Sequence, residues 1–383
     1  MLAVTANWLL SDGSLLPARA APATGWLKAV RRAALRAGCG RDGRYRPVES
    51  ICLVFAGDTF ELLVSDVWTG RDRPWHGGAR GRAARAAALA AALRAARPVV
   101  RLLWRWLRSG LPVPAADGHG RPRFDREQTV PLSVFMLAGD RDGWLAEAPA
   151  VAERLGIATG AAWTDGAVTI RHGHDLDPFC QGASATSDRP PSLAESIAVD
   201  LLVPFAGAMR DDPVAWTAVR PALAGLAAAS PVELPAGLVA LARAGGTGSR
   251  VGRRVTAAWR LSVEAWWAAA RREVPACEVE FDVVDTLAGW FASGVAGGES
   301  PPPAIAVLDG RRTPVRAPGT PLLGHGPAAP LIAGAGASDG PQLVIGERSN
   351  GPGWQEPLGS PRAGSGIVAV GRADPGPAVV DAA

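Results

Sequence analysis

Lysine is almost missing from this sequence. Lys28 is the single example, so 39 of the 40 basic residues are arginine, and Tyr45 is the single tyrosine beside fourteen tryptophans and eight phenylalanines. Abundant Ala, Gly and Pro accompany this skew, which is the composition of a GC-rich coding sequence. Cysteine is scarce as well. Cys39, Cys52, Cys180 and Cys277 lie far apart and form no CxxC pair, which argues against a disulfide scaffold or zinc ribbon and fits a reducing compartment. A run of about 18 apolar residues, as a spanning helix needs, does not occur. Asp12 interrupts the first apolar run, so a signal-peptide pattern is not expected either. The run Gly245-Gly246-Thr247-Gly248-Ser249 carries no lysine, which excludes a Walker phosphate loop, and neither HExxH nor GxSxG is present. A formal charge of +4 on 383 residues is too small to argue for nucleic acid, so no nucleic-acid partner is expected. The expected location is the cytoplasm.

What is present is ordinary globular material: 48% hydrophobic and 20% charged residues, enough for one large domain or a core with a substantial insertion. Five short apolar runs end abruptly in polar or Gly-containing corners. Ala6–Leu10 precedes Ser11-Asp12, Ile51–Ala56 precedes Gly57-Asp58, and Val134–Ala138 precedes Gly139-Asp140. Ala167–Ile170 precedes His172-Gly173-His174, and Pro321–Leu323 precedes Gly324-His325-Gly326. Such runs read as buried strands, and polar residues at the carboxyl ends of strands are how an open α/β sheet builds a site.

Helical stretches separate these runs. One is expected from about Thr24 to Ala37, another from Arg80 to Arg108 with a break at Pro98, and several between Ser192 and Ser293, divided by Pro and Gly. This last block, within about residues 180–300, reads as a helical insertion or lid. Pro341–Gly346 and Gly366–Gly371 read as closing strands, and residues 372–383 as a disordered tail.

Three of the five histidines (His172, His174, His325) stand at the strand-end corners. Mixed carboxylate and imidazole donors suit Mn, Fe and Zn, so the corners together make a candidate metal site. The order Ser11-Asp12-Gly13-Ser14, Gly57-Asp58-Thr59-Phe60-Glu61, Gly139-Asp140-Arg141-Asp142, His172-Gly173-His174 and Gly324-His325-Gly326-Pro327 resembles the motif series of calcineurin-like metallophosphoesterases. That series runs Asp-x-His, Gly-Asp-x-x-Asp/Glu, Gly-Asn-His/Arg-Asp, Gly-His or His-Gly, and Gly-His-x-His. Its style here is closest to the UDP-2,3-diacylglucosamine hydrolases, which carry a helical lid before the last motif.

The resemblance implies an αββα sandwich, two packed sheets flanked by helices, forming a single domain over 1–383 with the helical insertion inside it. It implies two neighbouring divalent metals, Mn or Fe, bridged by Asp58. One would be held by Asp58, Asp140, His172 and His325. The other would be held by Asp12, Asp58 and two histidines that this chain lacks, since Ser14 and Pro327 occupy their places. One ion or two therefore remains open, as does a vestigial site held by hydrogen bonds. Arg141 would clamp a phosphate oxygen and Asp142 would orient the turn, unless the pair forms a solvated surface turn. The implied activity is hydrolysis of a phosphate ester or anhydride in a phosphorylated small molecule or lipid-linked substrate. The alternative is a catalytically silent relative that binds a phosphorylated ligand or a partner.

Two further patterns each leave two readings. Arg94, Arg97, Arg101, Arg105 and Arg108 recur at spacings of 3, 4, 4 and 3, with Trp104 and Trp106 among them, and no acidic residue lies between Asp72 and Asp117. The stretch 80–108 is either a core helix with a solvated Arg face or a peripheral contact with the inner membrane face. Trp259, Trp266 and Trp267 near Arg271 and Arg272 either form the core of the lid or line a pocket for an apolar tail.

Overall fold

The structure is a computed structural model. It describes residues 1–6, 8–17, 23–40, 42–147, 156–165, 168–172, 174, 177, 179–180, 189–229, 231, 233–244, 249–274 and 282–293, with strand segments 330–332, 342–344, 346–347 and 368–371. His325, Pro327, the expected strand at 321–323 and the tail 372–383 lie outside the described residues.

The fold is mixed α/β. Strands β1 (Leu2–Ala6), β2 (Ile51–Ala56), β5 (Leu132–Leu137) and β6 (Ala158–Gly160) form a parallel sheet in the order β1-β2-β5-β6. Beyond β1, the strands β10 (Gln342–Val344) and β12 (Val368–Gly371) add antiparallel, with β11 (Gly346–Glu347) alongside β12. A second sheet holds β7 (Ala162–Asp165), β8 (Val168–Arg171) and β9 (Pro330–Ile332).

Both faces of the parallel sheet are covered, so its strands are apolar on successive residues, as doubly buried strands must be. Ile51, Leu53 and Phe55 of β2 and Val134 and Met136 of β5 point into the large core under the helices. Their neighbours Val54, Ala56 and Leu137 point the other way, with Val4, onto Trp163 and Ile170 of the second sheet. The period-2 alternation therefore sorts each strand between two cores.

Helix α1 (Ala23–Ala37) crosses from β1 to β2, and α2 (Gly78–Ala95) and α3 (Arg97–Ser109) stand before β5. The break between α2 and α3 falls at Ala96, with Pro98 in the first turn of α3, where its missing N–H costs nothing. From α3 the chain enters a hairpin, β3 (Leu111–Ala116) and β4 (Pro122–Val130). Sequence pattern does not announce this hairpin, because Pro112 and Pro114 interrupt β3 and β4 is exposed and charged along most of its length.

After residue 189 and up to 293 the described chain is helical. It comprises α4 (Leu193–Ser196), a π-helical turn (Ile197–Leu202), α5 (Val203–Arg210), α6 (Pro213–Ala228), α7 (Leu234–Ala244), α8 (Arg250–Glu273) and α9 (Val283–Ser293). The helix starts are written locally. Ser192 and Glu195 close a capping box on α4, Asp212 caps α6 ahead of Pro213, and Ser249 caps α8. Trp259 and Trp266 are fully buried and bond to the Phe291 carbonyl and the Ser196 hydroxyl, so these two are core of the helical region rather than pocket walls. Trp267 is partly exposed, against Arg271 and Asp285.

One expected boundary is corrected. The first strand is Leu2–Ala6, not Ala6–Leu10. Its extension stops where the Trp8 indole N–H donates to the Thr5 hydroxyl at 2.8 Å and Leu9 takes a left-handed φ of 49°. No helix of the described residues is long and apolar enough to cross a membrane.

Candidate metal centre

Four chain segments leave the carboxyl ends of strands and meet here. Beyond β1, Leu9 and Leu10 donate their backbone N–H groups to the carbonyls of Asp58 and Thr59, 3.0 Å each, so the Asp12 loop runs beside the Asp58 loop. Beyond β2 come Gly57 and Asp58, beyond β5 Gly139 and Asp140, and beyond β8 His172.

The turns are close-packed in a way that only glycine permits. A Cβ on Gly139 would sit 2.0 Å from Asp58 Oδ1, and one on Gly57 would sit 2.2 Å from His172 Nδ1. Gly57 also has a φ of 95°, and Asp58 itself is left-handed at 52°. An aspartate tolerates that conformation better than most residues, but it still carries strain that the surroundings must hold.

The result is a buried trio. Ligand atoms of Asp58, Asp140 and His172 all lie within 4.8 Å of one another. His172 Nε2 lies 3.0 Å from Asp140 Oδ1 and 3.4 Å from Asp58 Oδ2, while Nδ1 lies 2.8 Å from the carbonyl oxygen of Ala56. Burial alone would disfavour a charged imidazole, but the two carboxylates outweigh it and hold His172 well above its ordinary range. Both ring nitrogens then donate, one to Ala56 and one to the carboxylates. Burial likewise pushes Asp140 upward, and His172 and Arg141 more than reverse this, holding it well below the usual carboxylate range.

This donor set fits a divalent cation. Two carboxylates and one imidazole converge, and the second imidazole nitrogen is tied to a backbone carbonyl, the usual arrangement that orients a ligating histidine. His172 Nε2, which faces both carboxylates, is the ring nitrogen open to a cation.

Around the trio, Asp142 is fully buried and accepts the backbone N–H groups of Gly139 (2.8 Å), Asp58 (3.3 Å) and Phe60 (3.1 Å). Burial and the neighbouring Asp58 raise its carboxyl to about 7 against these donors. The reading of Arg141-Asp142 as a solvated turn is therefore excluded. Arg141 donates its backbone N–H to Asp58 Oδ1 at 2.9 Å. Its guanidinium pairs with Asp140 at 3.3 Å and Glu61 at 3.6 Å and reaches the Ala227 carbonyl of α6 at 2.9 Å.

Asp12 does not join the trio. Its carboxylate accepts the Ser14 backbone N–H (2.9 Å) and the hydroxyls of Ser14 (2.7 Å) and Ser65 (2.6 Å). Ser14 thus fills the space beside Asp12 as a hydrogen-bond donor. His174 lies near the trio, its ring 5.5 Å from that of His172, with a buried Nδ1 that has no hydrogen-bond partner among the described residues. Burial, then the charge on His172, lowers its pKa.

Two contributors carried no role in the sequence reading. Glu61 is buried, accepts the N–H groups of Leu63 and Val64 at 3.1 Å each, and faces Arg141. Its place three residues after Asp58 was the available signal. Arg220 of α6 donates to the Gly13 carbonyl at 2.9 Å, and nothing distinguishes it in sequence from the other arginines.

No family model, no curated protein and no solved structure matches this chain.

Proposed function

We propose that this chain is a metallophosphoesterase-like hydrolase that holds a divalent cation, Mn or Fe by donor chemistry, at Asp58, Asp140 and His172. Its substrate would be a phosphate ester or anhydride in a phosphorylated small molecule or lipid-linked compound. The observation that carries this reading is the convergence of three buried ligand atoms at the ends of strands whose motifs occur in the family's order. On this reading the two packed sheets and their helices form one αββα domain, and the helical block within 180–300 is an insertion covering the site.

When bound, the cation would supply Lewis acidity to a phosphoryl oxygen and acidify a water. The protein's own groups do the rest. Ala56 fixes the His172 ring, and Asp142 gathers three backbone N–H groups so that the Asp58 and Asp140 turns stay in register. Arg141 places a permanent positive charge against Asp140, where a phosphate oxygen could be clamped. One ion is favoured over two, because Asp12 is bonded to Ser14 and Ser65 and lacks the family's histidine beside it.

A second reading rests on Arg141. Its guanidinium already faces Asp140, Glu61 and the Ala227 carbonyl, as expected of a protein that keeps the architecture while binding a ligand or partner without turnover.

Metal content and turnover separate the two. Purified protein should bind about one Mn ion per chain, and Asp58→Asn should weaken binding by roughly 100-fold or more while Ser14→Ala changes it little. Turnover on a panel of phosphoesters and nucleotide pyrophosphates that disappears in Asp58→Asn supports the hydrolase. Metal binding with an inert panel moves the silent binder ahead, and wild-type protein that binds no ion sinks the hydrolase and leaves the silent binder.

A further inference from the structure

The outer face of α3 has no part in the site, yet it carries charge of one sign only. Arg97, Arg101, Arg105 and Arg108 are exposed along it, and Arg94 continues the row from the last turn of α2. From Arg97 to Arg108 the row is about 16 Å long. Among the described residues none of the five is paired with a carboxylate.

The opposite face of the same helix is anchored by buried Val99, Leu103 and Trp106. The arginines therefore point straight away from the protein. Trp104 stands at the edge of the row, 43% exposed, with the Arg108 guanidinium 4.2 Å over its ring. Val100, Trp104 and Leu107 also line a small apolar crevice against Leu10, Phe60 and Met136. A basic row with tryptophan and half-buried aliphatic residues on its flank is the pattern of a helix lying in the interface of an anionic bilayer. A solvated face would serve equally well with mixed charges, and here no acid relieves the repulsion among the arginines.

We propose that α3 is a docking surface for a membrane leaflet rich in anionic phospholipid. The arginines would meet the headgroup phosphates, with Trp104 at the headgroup boundary. Among the described residues Trp104 is the one exposed aromatic side chain on this helix, so no aromatic ladder stands ready to stack bases, which favours a plane of lipid over a nucleic-acid strand. This proposal stands apart from the metal centre and does not depend on the hydrolase reading.

The test is co-sedimentation of the full chain with phosphatidylglycerol vesicles and with phosphatidylcholine vesicles. Binding to the anionic vesicles alone, weakened by salt, is expected. Each basic residue near such a surface is worth roughly fivefold in partitioning. The triple variant Arg101→Gln, Arg105→Gln, Arg108→Gln should then partition about 100-fold less, and Trp104→Ala should lose a smaller share. All these positions are exposed, so circular dichroism and Mn binding should match the parent. Wild-type protein that ignores phosphatidylglycerol overturns the proposal, as does a triple variant that binds as well as the parent. Tighter binding to a homopolymeric RNA than to the vesicles, lost in the triple variant, overturns it in favour of nucleic acid.

Discussion

His172 reaches the carbonyl oxygen of Ala56 at 2.8 Å, which ties the end of β8 to the last residue of β2, two positions before Asp58. The bond spans 116 residues of sequence and settles which nitrogen of the ring faces the carboxylates. The metal-free ring is held charged by Asp58 and Asp140 against the opposing effect of burial.

A ligating imidazole must be neutral at the metal-facing nitrogen, so cation binding should expel a proton from His172 Nε2. About one proton per ion is expected at neutral pH, with apparent affinity falling up to about tenfold for each unit of acidification. Calorimetric titration with Mn in two buffers of different ionisation enthalpy measures the release. Heats that do not depend on the buffer would show that His172 gives up no proton and ligates nothing.

Gly139 gives a prediction about stability. Gly139→Ala would place a methyl carbon 2.0 Å from Asp58 Oδ1 and 2.6 Å from the Asp58 backbone nitrogen. Neither can retreat, since Asp142 holds that nitrogen and Arg141 holds that oxygen. A loss of about 3 kcal/mol or more is expected in urea unfolding. Gly143→Ala, with nothing within 4 Å of the new carbon, should stay within about 0.5 kcal/mol of the parent. Equal midpoints for the two variants would mean that the turn is looser than described.

The Arg73–Asp200 pair joins the loop before α2 to the π-helical turn at 2.6 Å. Burial raises the Asp200 carboxyl, and Arg73 opposes the rise. Arg73→Ala would leave a buried carboxylate without its counter-charge, at a cost of about 3 kcal/mol near neutral pH. An acid whose folded pKa lies above its unfolded value binds more protons when folded, so its effect on stability worsens as pH rises through that window. Removing Arg73 raises Asp200 further. The deficit of the variant should therefore be smaller near pH 5 than near pH 8, which chemical denaturation at the two values can read. A deficit constant with pH would place the damage elsewhere, in the three carbonyls that Arg73 also bonds at Trp68, Gly70 and Asp72.

The parts of the fold that could be read in advance are those where the local code and the burial agree. Ile51–Ala56 and the stretch ending at Leu137 are apolar on both faces and stop at glycine, and they are the central strands. Pro98 was expected as a break and lies in the first turn of α3, and Ser192 opens the helical block in sequence as in space. The hairpin from Leu111 to Val130 stayed hidden because its register comes from pairing, not from an apolar alternation. At the site, Asp58, Asp140 and His172 were legible as strand-end donors. The engagement of Asp12 with Ser65 was not, because a serine 53 residues away announces nothing. Glu61 stood in its motif without a role, and Arg220 escaped as Ser65 did, taking its role from a contact made only after folding.

The seam between the helical region and the site loops includes two cross-links of one chemical kind. Arg141 reaches the main-chain oxygen of Ala227, and Arg220 reaches that of Gly13. Every residue type supplies such an oxygen, so the identity of residue 227 is free to drift while the link persists. Gly13 is constrained by its φ of 81° rather than by what it accepts. Among divergent descendants of this chain, the two arginines should persist with no compensating change at the positions they touch. Pairwise covariation would pass over this seam in silence.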